Sequence, residues 1–369
     1  MNALVFFVIL ALYGGIQAYF AHKVVAAFTL AAPGATMLYG FAVLMTVGPL
    51  VHWWLARGEA MHIPAVVSAW LVFGWMGFSF LFFWIGVAFD GWALLARHAA
   101  LPMLAAKPAL ALAAMLAGAL WLVGFYAAWH PRVERVTLHS AKLAPGTRLR
   151  IAQISDLHLG VLIGARRLER VLDTVRALDP DMLVSTGDLV DAEAHFVDGL
   201  SARFAAYRPA LGKFAVTGNH ERYVGLRHAL DFHQRSGFTV LRGQAVDVAP
   251  GVTLAGVDDP AVRPDDGNEQ RLLAALPADR FVVLLKHQPL VSPGARFDLQ
   301  LSGHTHRGQI FPFGLLVRLR YPMLAGRHAL ANGGVLYVSR GTGTWGPPIR
   351  ILAPAEITLI EILPAAGGR

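Results

Sequence analysis

The stretch LSGHTHRGQI, at residues 301–310, places two histidines one residue apart between two glycines. Side chains at positions i and i+2 of an extended chain lie on the same side, because strand side chains alternate between the two faces. The flanking Gly303 and Gly308 allow the backbone to turn sharply around the pair. This geometry suits two imidazoles that bind metal together, and the rest of the chain decides whether they do.

The composition divides the chain into two chemically different halves. The 369 residues are 55% hydrophobic and only 15% charged, with a net charge of +8. Residues 1–130 hold just four of the 32 lysines and arginines and two of the 24 acids. The chain contains no cysteine, which excludes disulfides and thiolate ligands, so a metal would be held by nitrogen and oxygen donors.

Four apolar stretches in the first half are each long enough to cross a membrane, which takes a helix of about 20 residues. The predicted spans are residues 1–20, 35–55, 63–89 and 109–129. The few charged residues are expected at span edges or in loops, whereas a transport path usually needs ionisable groups within the spans. Residues 1–130 are therefore predicted to be a four-helix transmembrane anchor.

The basic residues around the spans predict the orientation. With four spans, both chain ends lie on one side of the membrane. Placing them inside gives six flanking lysines and arginines on that side, against three on the other. Loops rich in these residues stay in the cytoplasm, so we expect the second half to face the cytoplasm.

The second half changes to short β-type runs that alternate with amphipathic helices. Strands are predicted at residues 148–154, 181–185, 213–216, 252–257, 281–285, 299–301, 335–339 and 356–362. Helices are predicted at residues 166–178, 192–206 and 226–236. Alternating strands and helices followed by a strand-rich end indicate a layered α/β domain, which we expect to span residues 131–369.

Five of the predicted strands are followed by residues that can bind metal. Ligands gather at the carboxyl ends of strands in α/β sheets, so side chains at these positions are expected to lie together. In chain order the strand ends read Asp156-Leu157-His158, Gly187-Asp188, Gly218-Asn219-His220-Glu221, His287 and Gly303-His304-Thr305-His306. Each motif alone is weak, but the ordered set is specific.

This ordered set resembles the signature of the calcineurin-like metallophosphoesterase family, and the resemblance covers residues 148–362. It implies a four-layer α-β-β-α sandwich with a two-metal site. Residues 256–259, 308–310 and 339–343 resemble a membrane-anchored branch that includes bacterial phosphodiesterases and UDP-2,3-diacylglucosamine hydrolases. The third motif reads GNHE where many relatives have GNHD, so a carboxylate is retained.

The resemblance implies seven metal ligands, one of them shared by two divalent ions. The first ion would be bound by Asp156, His158 and His306, and the second by Asn219, His287 and His304, with Asp188 bridging both. Donors of this kind suit manganese, iron or zinc.

Three further residues are expected to act on the substrate. The resemblance implies that His220 is not a ligand and donates a proton or a hydrogen bond to the leaving group. Arg307 and Arg340 adjoin the histidine pair and a glycine-rich loop, where a guanidinium would match phosphate geometry. A structural ion pair is the alternative for each arginine.

The implied activity is hydrolysis of a phosphodiester or pyrophosphate bond. The apolar half would hold the site at a bilayer of the bacterial inner (cytoplasmic) membrane type, which favours an anionic, lipid-linked substrate. The most specific version is UDP-2,3-diacylglucosamine in lipid A biosynthesis. Another lipid-linked or cell-envelope phosphate and a catalytically inactive membrane scaffold are the alternatives. No basic array indicates nucleic acid, and the sequence predicts no oligomeric state.

The stretch FPFGLLVRLRYPML, at residues 311–324, mixes bulky apolar side chains with Arg318 and Arg320 and contains no acid. One interpretation is a buried strand and turn. The other is an interfacial loop whose apolar groups enter the acyl boundary while the arginines meet phosphates. The two interpretations differ in whether the leucines are buried.

Overall fold

The computed structural model describes residues 3–264 and 266–365 of the chain. The chain forms two compact units. The first comprises Met1–Tyr126 with Gly346–Ile349, and the second comprises Ala127–Trp345 with Arg350–Arg369. The sequence predicted the boundary after residue 130 and did not anticipate that a short segment near the C-terminus groups with the helices.

Four long apolar helices make up the first unit. They are α1 (Ala3–Phe28), α2 (Ala32–Ala56), α3 (His62–Ala99) and α4 (Ala106–Trp129). All four are long and apolar enough to cross a membrane. Many of their large side chains are exposed, as expected for side chains that face lipid. The prediction of four apolar helices is confirmed.

Polar contacts join α1 to α3. The Gln17 amide donates to the Ser79 hydroxyl across 3.0 Å, and both side chains are buried. Lys23 donates to Asp90 across 2.5 Å, and the Tyr19 hydroxyl donates to the same carboxylate. The sequence predicted Lys23 and Asp90 at span edges or in loops. Both lie inside helices, because α1 and α3 extend beyond their apolar runs, and their pairing leaves neither charge unpaired.

The second unit contains two six-stranded mixed sheets. In spatial order the first sheet contains β1 (Arg132–Ser140), β12 (Glu356–Pro364), β2 (Leu149–Ile154), β3 (Met182–Ser185), β4 (Lys213–Ala215) and β5 (Thr239–Val240). The second contains β10 (Gly326–Ala329), β11 (Val335–Val338), β9 (Leu299–Ser302), β8 (Phe281–Leu285), β7 (Val252–Gly256) and β6 (Gln244–Ala249).

Seven helices accompany these sheets: α5 (Ala165–Leu178), α6 (Ala194–Val197), α7 (Leu200–Ala206), α8 (Asn219–Tyr223), α9 (Leu226–Arg235), α10 (Asn268–Ala274) and α11 (Gly314–Arg320). Alternating residues of a strand face opposite sides, so each sheet contributes to two cores. In β3, Leu183 packs with α5, α7 and α9, whereas Met182 and Val184 pack against the second sheet. Leu273 of α10 packs on the outer face of β7 and β8. This arrangement is the predicted α-β-β-α layering.

Most predicted elements of the second unit are present within a few residues, and the differences have physical causes. The edge strand β1 was not predicted, because Arg132, Glu134 and Arg135 interrupt the apolar pattern and its first four residues are largely exposed. The predicted helix at residues 192–206 is two short helices, interrupted at Asp198 and Gly199, where Gly199 has a φ of 80°. Residues 311–324 include the exposed helix α11, so the buried-strand interpretation is wrong.

The strand directions bring the ends of both sheets to one place. Strands β2, β3 and β4 run parallel, and so do β7, β8 and β9. The buried Gln153 amide, near the end of β2, donates to the Ser302 carbonyl at the end of β9 across 3.0 Å. The carboxyl ends of the two sets of strands therefore meet.

Candidate metal centre

All seven predicted ligands follow the carboxyl ends of strands, four in the first sheet and three in the second. The structure brings the donor atoms of most of them into two groups, each with its atoms within 4.8 Å of one another. One group contains Asp156, His158 and His306, and the other contains Asp188, His287 and His304. The first group has the members predicted for the first ion, and the second contains two of the three predicted for the second ion together with Asp188, with Asn219 beside it.

The second group consists of acceptor atoms that face one another. The His287 Nε2 atom lies 3.1 Å from His304 Nδ1, 3.2 Å from Asn219 Oδ1 and 3.1 Å from Asp188 Oδ2. The other nitrogen of His287 lies 2.8 Å from the Thr186 carbonyl, which can only accept, so the ring proton belongs there.

The contact with Tyr321 determines the tautomer of His304, as the Thr186 carbonyl does for His287. Its hydroxyl donates to Gln288 Oε1 across 3.0 Å and lies 2.9 Å from His304 Nε2, so it accepts the proton of that nitrogen. When both rings are neutral, as a metal ligand must be, the lone pairs of His287 Nε2 and His304 Nδ1 point at each other with no proton between them. This acceptor-only set fits a divalent cation bound between the side chains.

The first group shows a similar convergence. The Nε2 atoms of His158 and His306 are 3.1 Å apart, and His306 Nε2 lies 3.4 Å from Asp156 Oδ1. Burial lowers the pKa of His306 to about 4, and the neighbouring Arg350 guanidinium contributes. Burial likewise lowers the pKa of His304 to about 3, with a contribution from His287. Both rings are therefore neutral at neutral pH, the form in which an imidazole binds metal.

The buried carboxylates remain ionised. Burial alone would raise the pKa values of Asp156 and Asp188, but the surrounding histidines outweigh burial and hold both below their usual range. Burial lowers the pKa of His287, yet the adjacent Asp188 carboxylate raises it well above its ordinary value. Without metal, His287 is therefore protonated and forms an ion pair with Asp188, and a bound cation would displace that proton.

The backbone at the ligands is unusual for residues with side chains. Five of the seven predicted ligands have a positive φ: Asp156 (51°), His158 (51°), Asp188 (51°), His304 (69°) and His306 (48°). Such left-handed conformations are uncommon outside glycine and cluster at functional sites, where the surrounding structure holds them.

Two glycines of the motifs are required by close contacts. A Cβ atom on Gly218 would lie 2.2 Å from Asp188 Oδ1, and one on Gly303 would lie 2.2 Å from Asp156 Oδ2. Any side chain at these positions would displace a predicted metal-binding carboxylate. The glycines before Asn219 and His304 thus allow the ligand loops to approach one another.

The Glu221 carboxylate of the GNHE motif connects two of these loops. It is fully buried and accepts from the backbone N–H groups of Gly218, Asp188 and Leu189 at 2.6, 3.0 and 2.8 Å. It therefore fixes the Asp188 loop against the start of α8. Glutamate in place of aspartate at this motif position still anchors the backbone.

Asp191 is a functional candidate that sequence reasoning missed. Its Oδ1 atom lies 2.5 Å from His220 Nδ1, and its Oδ2 atom lies 3.3 Å from His158 Nδ1. A carboxylate on Nδ1 leaves the Nε2 atom of each ring available, in His158 to bind metal and in His220 to contact substrate. The only signal in the sequence is an acid three residues after Asp188.

The charge of His220 depends on the same carboxylate. Burial lowers the pKa of the ring, but Asp191 and then Asp188 outweigh burial and raise it to about 9. At neutral pH the metal-free protein therefore carries an imidazolium at this position. An imidazolium is the form that donates a proton or a hydrogen bond to a leaving group.

The predicted arginines have different environments. Arg340 is held by Glu134 and by Glu356, which lies 2.8 Å from its Nε, so it forms the structural ion pair that was the alternative. Arg307 is exposed and forms no ion pair within the described part of the chain. Sequence reasoning missed Arg350, a fully buried residue whose guanidinium donates to the Gly343 carbonyl and lies 3.0 Å from His306 Nδ1.

Similarity to known proteins agrees with this geometry. Residues 149–308 match the family described as calcineurin-like phosphoesterase. An uncharacterized metallophosphoesterase of Aquifex aeolicus is 41% identical over 243 residues, which cover 63% of this chain and 91% of the relative. One of Helicobacter pylori (strain J99) is 34% identical over 68% of each chain. A Bos taurus "transmembrane protein with metallophosphoesterase domain" is 36% identical, over 71% of this chain and 64% of the relative.

The chain belongs to the calcineurin-like phosphoesterase family. The resemblance drawn from the ordered motifs is thereby confirmed, and the chain is a metal-dependent phosphoester hydrolase by class.

Replacing Asp188, the carboxylate predicted to be shared by both ions, tests the metal centre. Asp188→Ala should lower bound metal and abolish turnover, because both predicted ligand sets would lose the oxygen donor that they are expected to share. Metal analysis and hydrolysis of an aryl phosphodiester by the purified full chain measure the two effects. Asp173→Ala, which removes an exposed acid of α5, is the matched control. Wild-type turnover by a metal-free Asp188→Ala protein would contradict a metal mechanism.

His220→Ala separates proton donation from metal binding. We expect metal content near that of the wild type and turnover lower by roughly 10²–10⁴-fold, the usual contribution of general acid–base catalysis. A substrate with a good leaving group should be affected less, since it needs no proton. Loss of metal together with activity would instead make His220 a ligand.

Asp191→Asn tests the carboxylate that faces both rings. Without its charge, the pKa of His220 should fall from about 9, so the ring loses its proton at lower pH. Turnover or metal affinity should fall by about 10–100-fold, as for other groups that orient metal-binding histidines. Histidine NMR titration of the metal-free protein measures the pKa, and an unchanged value would exclude the pairing.

Proposed function

We propose that the chain is a membrane-anchored hydrolase that cleaves a phosphodiester or pyrophosphate bond at a two-metal centre. The observation that carries this proposal is the convergence of six nitrogen and oxygen donors in two adjoining groups, with Asn219 beside the second group and with lone pairs of His287 and His304 that can face each other there. Two divalent cations so held would activate water and clamp the attacking and leaving oxygens during displacement at phosphorus. Manganese, iron and zinc all accept such ligands, and we propose one of them as the native metal.

The side chains of the protein would divide the remaining work. Asp156, His158 and His306 would hold the first ion, and Asn219, His287 and His304 the second. Asp188 would lie between the ions, consistent with its position beside His287. The His220 imidazolium, oriented by Asp191 at Nδ1, would donate from Nε2 to the oxygen of the leaving group. The exposed Arg307 would contact a phosphate oxygen, whereas Arg340 is already occupied by two acids.

The apolar helices support a substrate with a lipid portion. A soluble substrate requires no anchor, whereas a lipid-linked phosphate must be reached at a bilayer surface. We therefore propose an anionic, lipid-linked substrate at the cytoplasmic face of an inner membrane. UDP-2,3-diacylglucosamine, cleaved to diacylglucosamine 1-phosphate and UMP as in lipid A biosynthesis, is the most specific candidate.

A different lipid-linked or cell-envelope phosphate is the second candidate, because the metal centre recognises phosphorus rather than a particular lipid. An inactive membrane scaffold is disfavoured. A scaffold would have no need for seven candidate ligands that lie close together, or for a His220 ring that contacts Asp191.

A substrate panel tests the proposed function. The full chain in detergent, reconstituted in turn with manganese, iron or zinc, should hydrolyse UDP-2,3-diacylglucosamine with release of UMP. Aryl phosphate mono- and diesters serve as generic substrates, and Asp188→Ala serves as the inactive control. Turnover of the generic diester without UMP release would favour the second candidate. No turnover of any phosphoester with any metal would contradict the hydrolase proposal.

A further inference from the structure

The helix α11 exposes an apolar surface directly after the metal-binding histidines. Leu315, Leu316 and Leu319 are 60%, 61% and 82% exposed, and Phe311 and Phe313 before the helix are about half exposed. None of the seven residues of α11 is buried. Five large apolar side chains exposed within nine residues make an apolar patch at the site, and such patches mark interaction surfaces.

The side chains of α11 are arranged as in a helix that lies at a membrane surface. Each residue of an α-helix advances by about 100°, so Leu315, Leu316 and Leu319 share an arc of about 100°. Arg318 and Arg320 flank this arc on its two sides, while Val317 lies opposite and is half-buried. Within the described part of the chain neither arginine forms an ion pair. Apolar side chains between exposed arginines suit insertion among anionic headgroups.

Both ends of α11 are fastened to the loop that carries His304 and His306. At its start, a Cβ atom on Gly308 would lie 2.2 Å from the Gly314 Cα atom, so the two backbones touch. At its end, the Tyr321 hydroxyl contacts His304 Nε2 at 2.9 Å. The Thr305 hydroxyl donates to the Leu324 carbonyl across 2.7 Å. The position of α11 therefore fixes the position of this ligand loop.

A second exposed apolar segment continues this surface. The Gln309 side chain exchanges two hydrogen bonds of 2.9 Å with the backbone of Trp345, which is 57% exposed. The Trp345 ring lies 5.7 Å from the His220 ring. Ile310 pairs with Ile351, next to the exposed Leu352. Exposed apolar side chains therefore lie near both histidines, those of α11 near His304 and Trp345 near His220.

The charge of the region suits a bilayer surface with anionic headgroups, although Arg340 is ion-paired and Arg350 is buried. No aspartate or glutamate lies between Asp298 and Glu356, whereas six arginines do. Only two residues separate β1 from α4, a helix long and apolar enough to cross a membrane. A basic apolar surface on a tethered domain is complementary to anionic lipid.

We propose that Phe311–Arg320 docks into the headgroup and acyl boundary of an anionic bilayer and holds the His304–His306 loop at that surface. This docking deepens the proposed function and rests on it, because it would present the phosphorus of a lipid-linked substrate to the metals while the acyl chains stay in the membrane. The leucines would enter the acyl boundary, and Arg318 and Arg320 would meet lipid phosphates.

A direct test uses the absence of cysteine from the chain. Leu316→Cys in the full chain is labelled with a polarity-sensitive fluorophore and reconstituted in phosphatidylcholine vesicles with and without phosphatidylglycerol. We expect a blue-shifted emission that is stronger with the anionic lipid. Asp173→Cys, on an exposed position of α5, should show no shift. The same emission at both positions would overturn the docking, whatever the enzyme hydrolyses.

A kinetic test measures the consequence for substrate. Leu315→Ser, Leu316→Ser and Leu319→Ser combined should raise the apparent KM for an acylated phosphodiester by about tenfold or more. The leucines are exposed in the folded chain, so their replacement costs little folding stability, whereas docking would bury their apolar surface and would lose that contribution to binding. A short soluble phosphodiester should be hydrolysed as by the wild type. Equal losses on both substrates would overturn the docking, because they mean that the leucines support the fold.

The two tests separate this proposal from the proposed function. If the labelled Leu316→Cys variant shows the shift but no lipid-linked phosphate is hydrolysed, the docking stands and the substrate assignment fails. If the wild type hydrolyses the acylated substrate and the serine variant has the same KM, the function stands and the docking fails. Arg318→Ala with Arg320→Ala should abolish the preference for phosphatidylglycerol.

Discussion

The metal centre depends on one electrostatic constraint, which is that lone pairs of His287 and His304 point at each other across 3.1 Å inside the protein. In the neutral rings that bind metal, the protons are committed elsewhere, to the Thr186 carbonyl and the Tyr321 hydroxyl, so neither ring can donate to the other. Buried acceptors that face each other are unfavourable unless a cation lies between them. Without metal, a proton on His287 paired with Asp188 takes that place, and the tautomers, the glycine contacts and the Glu221 anchor keep the acceptors together for a metal.

The predicted ligands come from both sheets of the second unit. The first sheet supplies both carboxylate ligands, and the second supplies three of the four imidazoles. A cation bound by both would therefore cross-link the sandwich at the edge where the strand ends meet. The left-handed conformations at five ligands cost of order 1–3 kcal/mol each. Because the ligands are assembled only in the folded state, metal binding stabilises that state and offsets this strain.

The sequence predicted the layered domain and the grouping of candidate ligands because each depends on local information. Apolar periodicity defines α5 and the buried strands, and a metal ligand is recognised by its residue type and its position after a strand. Asp191, Tyr321 and Arg350 were missed because their roles depend on which ring they meet across the fold, and nothing local marks an acid or a tyrosine as the partner of a histidine. The exposure of α11 was left open for a similar reason, since an apolar stretch has the same pattern whether it is buried or exposed.

The stretch between Asp298 and Glu356 combines two requirements that exclude the same residues. It carries His304 and His306, and a stray carboxylate near them would compete for cations and repel a phosphate. It also carries the leucines of α11, and a carboxylate among them would oppose contact with anionic lipid. Both acids that neutralise Arg340 come from outside the stretch, Glu134 from β1 and Glu356 from β12. The absence of acids thus holds even where a partly buried charge needs a partner, and Arg307, Arg318 and Arg320 stay exposed without an ion pair in the described part of the chain.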